Sequence, residues 1–96
     1  MEGIKLITKE ASRQRQDWTF EHDTEHGSRN LLQFAEVMIS NVDDDTPLDE
    51  YKYPWIIELR RRHDHDPVRR MAIAGAFIAA AIDVALYESG VNGVYP

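Results

Sequence analysis

Apolar residues recur at three- and four-residue spacing along most of this chain, which is the signature of helices with one buried face. The clearest case is the stripe Leu31, Phe34, Ala35, Met38, Ile39 and Val42, with Arg29, Asn30, Gln33 and Glu36 mostly off it. It predicts a helix from Arg29 to about Val42, with Ser28 as N-cap. Ile4, Ile7 and Ala11 share a face, with Lys5, Lys9 and Arg13 elsewhere, and predict an earlier helix over Gly3–Gln16. Residues 17–27 read as a connector, in which Gly27 is a breaker and Thr19 can cap a short turn through Glu21 and His22.

The segment Asn41–Pro54 reads as a loop, because it carries three successive Asp and two Pro. Trp55–His63 has an apolar head and a basic tail, and Trp55, Ile56 and Leu59 can share one face of a short helix. Asp66 followed by Pro67 is the preferred pair at a helix start. That last helix should run to about Ser89, with Gly90 as its stop. From Met71 to Ile82 it is apolar on every side, which predicts a central position in a bundle. Ala72, Gly75, Ala76, Ala79 and Ala80 are small enough to let a neighbouring backbone come close. The tail "VNGVYP" reads as turn-prone and loosely held.

No stretch of useful length alternates as a strand does, and no internal repeat is visible. The pattern predicts a small all-α bundle of three main helices and a short fourth, in one domain over residues 1–96. Three helices of this length can leave apolar surface exposed, so a homodimer is also expected. The run Met71–Ile82 is shorter than the roughly twenty residues that a bilayer requires, and Asp83 closes it. It reads as a buried helix of a soluble protein, not as a membrane span. The first residues lack the basic and apolar regions of a signal peptide. The expected setting is cytoplasmic, the host cytoplasm if the chain is phage-encoded.

Composition narrows the chemistry. The chain has no cysteine, which excludes disulfides, thiolate metal ligands and a thiol nucleophile. Its net charge of −6 argues against a nucleic-acid partner, which needs a field of Lys and Arg. No phosphate-binding glycine loop and no nucleophile elbow is present.

Four groups of residues can carry chemistry. His22 and His26 are four apart, so on a helix they share a face and can hold a transition metal, with Glu21, Asp23 and Glu25 adding oxygen. The plainer reading is that these residues cap helix ends and bond to backbone and Arg. His63-Asp64-His65-Asp66 is a second cluster, in which Asp66 caps the last helix and the rest is hydrated, unless it joins the first cluster in space. Asp83 interrupts the apolar helix. It either sits on a wet edge or marks a polar pocket, with Arg13, Arg15 or His22 as partner. Arg60, Arg61, Arg62, Arg69 and Arg70 suit phosphate, and equally suit salt bridges to Asp43–Asp45 and Asp64. Tyr51, Tyr53 and Trp55 read as an aromatic lid on the core.

Several of these pieces form a longer pattern: Arg13-Gln14, Trp18-Thr19, Glu21-His22-Asp23, His26, Tyr53-Pro54-Trp55, Asp66-Pro67, Arg69 and "AGAFIAAAID" from Ala74 to Asp83. In this combination the chain resembles a family of small phage and prophage proteins. Some of that family resemble the N-terminal domain of phage dATP/dGTP diphosphohydrolases, which suggests a link to helical, MazG-like pyrophosphohydrolases. The resemblance implies Mg²⁺ or another divalent metal held against a triphosphate. It makes Glu21, Asp23 and Asp83 metal ligands, with His22 and His26 orienting water or phosphate beside the metal. Two departures stand out: Ala81 replaces a Glu of the family pattern, and the paired E-x-x-E and E-x-x-D of MazG-type helices are missing. The expected function is therefore a phage or prophage accessory protein that binds a host protein or a small nucleotide. The alternative is a metal-dependent (deoxy)nucleoside triphosphate pyrophosphohydrolase or a degenerate member of that class.

Overall fold

A computed structural model describes residues 1–39 and 54–90. The acidic stretch Asp43–Asp45, Tyr51, Tyr53, the last turn expected for the second helix and the tail 91–96 lie outside them. The described residues form four helices and no strand: α1 (Glu2–Asp17), α2 (Phe20–Ile39), α3 (Pro54–Arg62) and α4 (Pro67–Glu88). This is the small all-α bundle, three main helices and a short one, that the periodicity predicts.

α4 organises the rest. Its start is fixed by Asp66, whose Oδ1 accepts from the Arg69 amide at 3.0 Å, and by Pro67 in the first turn. Its end is fixed at Ser89, whose amide donates to the Ala85 carbonyl, and Gly90 follows at φ +75°. α2 lies along one side of α4 in the largest interface, α1 lies along another, and α3 packs on α2. The core is filled by Leu31, Phe34, Val37 and Met38 from α2, Ile56 from α3, and Ile73, Phe77 and Val84 from α4. α1 approaches at Gly75, where a Cβ would stand 2.7 Å from Ile7 Cδ1. The small residue is thus what lets Ile7 seat against α4.

The helix expected to be enclosed on every side is enclosed on two. Val68, Met71, Ile78 and Ile82 are 40–55% exposed and form a stripe along its third side. By length and composition α4 is also apolar enough to cross a membrane, with mean hydropathy 1.7 over an 18-residue window, 44% of which is buried inside the bundle.

The connector expected over residues 17–27 is mostly helical. α2 begins at Phe20, turns sharply at Gly27 (φ 81°, ψ 158°) and continues to Ile39. Thr19 explains the early start: its Oγ1 accepts from the His22 amide at 3.2 Å, and its carbonyl accepts from the Asp23 amide at 3.1 Å. Glu21 and Asp23 lie in the first turn, where the helix dipole favours negative charge. At the restart after Gly27, the Ser28 amide donates to Glu88 Oε1 at 3.3 Å, so a carboxylate from the last turn of α4 serves this helix end.

Candidate ligand-binding site

Trp18 ends α1 and is half-buried. It meets Trp55 of α3 edge-on, with ring centroids 4.8 Å apart, and Phe77 of α4 at 5.9 Å. Phe34 joins the same cluster, 4.8 Å from Trp55 and 5.7 Å from Phe77. One aromatic from each helix or its end therefore converges on a single point, a geometry that favours edge-to-face contacts.

His22 and His26 extend this cluster from the first part of α2. Their rings lie 5.5 and 6.5 Å from Trp18, and His26 meets Phe34 edge-on at 5.2 Å. The two Nε2 atoms are 3.2 Å apart, so one imidazole donates and the other accepts. Burial, and then the charge of His22, hold the His26 pKa below the ordinary histidine value, against the opposite pull of Asp23 and Glu25.

The remaining members of the sequence-selected set are dispersed. Asp23 is buried, and its Oδ2 is held by Arg15 Nη1 at 2.8 Å. Glu21 is exposed. Of the two positions open to Asp83, it takes the wet edge: it is exposed on α4 and makes no ion pair among the described residues. No three His, Asp or Glu side chains among the described residues come together to hold a metal ion. His22 and His26 thus offer two nitrogen donors, where tetrahedral zinc takes four ligands and magnesium prefers oxygen.

The second cluster is partly structural. Asp66 caps α4, Asp64 pairs with Arg60, and His65 is exposed. His63 has another setting. It lines a cavity of about 340 Å³ between α1, α3 and α4. The apolar wall is Trp18, Trp55, Leu59, Ile73 and Phe77, and the polar wall is Glu10, Arg13, Gln14, Asp17, Arg62, His63 and Arg69. Trp18 is common to this cavity and to the His22–His26 cluster.

Electrostatics of the polar wall centre on Glu10, a carboxylate with only 7% of its surface exposed. Its Oε1 accepts from Arg69 Nε at 3.0 Å and from Arg13 Nη1 at 3.3 Å. Arg62 has no ion-pair partner among the described residues and stands exposed at the rim. The cavity thus sets three guanidiniums against two carboxylates, a local excess of positive charge in an acidic chain. Burial, then Arg69 and Arg62, hold the His63 pKa below its ordinary value, while Glu10 and Asp66 act the other way. Arg70 is spent differently: its Nη1 donates to the Met38 carbonyl at 3.5 Å. A smaller cavity of about 180 Å³ also draws on Glu10, Arg13 and Arg69, with Leu6, Lys9 and Val68 among its other walls.

An aromatic wall facing guanidiniums suits a ligand that is planar at one end and anionic at the other. In the sequence, Arg62 and Arg69 stand out as possible phosphate ligands and His63 as part of a separate cluster; Gln14 and Trp18 enter only through the family pattern, and Glu10 not at all. A signal for them was present: Ile7, Glu10, Gln14 and Trp18 follow one another at three- and four-residue spacing, on the face that turns inward. Comparison with known proteins adds no constraint, since no family model, no curated protein and no solved structure matches the chain.

Proposed function

We propose that this chain is a small-nucleotide-binding protein, and that the cavity between α1, α3 and α4 is its ligand site. The observation that carries the reading is the pairing, in one cavity, of two indoles with three arginines. The base lies against Trp18 and Trp55, and the phosphate is met by Arg62 at the rim, with Arg13 and Arg69 behind it. A volume of about 340 Å³ lies at the small end of ligand pockets, which run from roughly 300 to 1,000 Å³. Binding of this kind agrees with the accessory role expected from the resemblance to small phage proteins, acting in the cytoplasm of a host.

The test is a titration of tryptophan fluorescence with adenosine nucleotides. Saturable quenching is expected, and Arg62→Ala should weaken it by about tenfold, the scale of one charge-assisted hydrogen bond. Arg62 is exposed, so its removal should leave the fold intact. No quenching at millimolar nucleotide, or no effect of Arg62→Ala, would contradict the proposal.

A second reading, metal-dependent pyrophosphohydrolysis, comes from the family resemblance; of its expected site residues only His22 and His26 meet, their Nε2 atoms 3.2 Å apart, and Mg²⁺ prefers oxygen donors. It predicts release of pyrophosphate from a deoxynucleoside triphosphate with Mg²⁺ or Mn²⁺. No turnover at high protein concentration, with either metal, would remove it.

A further inference from the structure

We infer that the ligand is a nucleoside monophosphate bound without a metal ion, and that Glu10 is the residue that sets this charge preference; the inference rests on the nucleotide reading above. Glu10 already occupies two of the three arginines of the cavity as an internal anion. Its Oε1 is the acceptor for both Arg69 Nε and Arg13 Nη1, at 3.0 and 3.3 Å. The carboxylate cannot turn away to solvent, because its side chain is about nine-tenths buried. Of these three arginines only Arg62 lacks an ion-pair partner among the described residues.

The positive charge left for a ligand is therefore small. A monophosphate, at about −1.5 to −2 near neutral pH, can take Arg62 and the unused donors of Arg13 and Arg69. Each further phosphate would add negative charge facing Glu10 and Asp17, in a chain whose net charge is already −6. Proteins that hold triphosphates commonly neutralise them with Mg²⁺ on carboxylates. Here no three His, Asp or Glu side chains among the described residues gather for that purpose, and the cavity carboxylate nearest the arginines is already spent on them. Glu10 is a positioning residue on this account. It orients two guanidiniums and limits how much anion they accept.

Substitution of Glu10 by Gln keeps an acceptor oxygen for both arginines and removes the charge. The experiment titrates the full chain, in the presence of a chelator, with adenosine 5′-mono-, di- and triphosphate. The wild type should bind the monophosphate most tightly. In Glu10→Gln the preference should move toward the triphosphate by about tenfold, as one fewer negative charge stands beside the added phosphates. Asp17→Asn, at the exposed rim, should move the ratio the same way and serves if Glu10→Gln does not fold. A triphosphate preference in the wild type overturns the inference while leaving nucleotide binding in place. So does a ratio that is unchanged in the variant that folds. Failure of all three nucleotides to bind overturns the nucleotide reading itself, and this inference with it.

Discussion

At Glu10, one carboxylate oxygen serves two arginines from different helices, one on α1 and one at the start of α4. It therefore ties α1 to α4 as well as shaping the cavity. His63 stands beside Arg69 and Arg62, and its lowered pKa has a consequence for stability. A histidine that is harder to protonate when folded lets the unfolded chain take up the proton first. His63 and His26 both behave this way. Their effect is absent above the ordinary histidine range, and stability falls as pH drops below the ordinary value of about 6.5. His63→Gln should have a melting temperature that declines less steeply with pH than the wild type over this window. Parallel declines in thermal melts of the two proteins would contradict the account of His63.

Individual helices were largely legible because their signals are local. Asp66-Pro67 at one end and Gly90 at the other fixed α4 from composition alone, and the caps are where those residues predict them. The α2 stripe was equally plain. The helical turn before Gly27 was not, because its apolar content is low and its stability comes from Thr19 and from packing of His22 and His26 on Trp18, a residue of the preceding helix end. How helices meet is a matter of shape, and Gly75 provides the test. Gly75→Ala gains about 1 kcal/mol in helix propensity. It also forces a Cβ to within 2.7 Å of Ile7, and overpacking of this kind costs about 1–3 kcal/mol. The substitution should lower stability to denaturant, and adding Ile7→Ala should recover part of the loss relative to Ile7→Ala alone. Strict additivity of the two changes would show that α1 does not seat on Gly75.

On the scale of the whole molecule, two surfaces differ in character. One is the apolar stripe of Val68, Met71, Ile78 and Ile82 along α4, the kind of surface on which the expectation of a dimer rests. The other is the cavity, where α1, α3 and α4 bring an aromatic wall to an arginine cluster. Neither surface could be read from the chain directly. The residues of the cavity span Glu10 to Phe77, and only folding places Trp18 next to Trp55 and Glu10 next to Arg69. By contrast, Glu21, His22, Asp23, His26 and Asp83 drew notice through sequence pattern, yet only His22 and His26 come into mutual contact through their side chains. The most direct measurement is an NMR titration of the labelled protein with adenosine 5′-monophosphate, following the indole N–H signals of Trp18 and Trp55 and the Arg62 Nε–H. The account predicts saturable shifts of all three with one common affinity, and little change at Asp83. Shifts confined to other parts of the molecule, or none at all in a well-folded protein, would contradict a nucleotide site in this cavity.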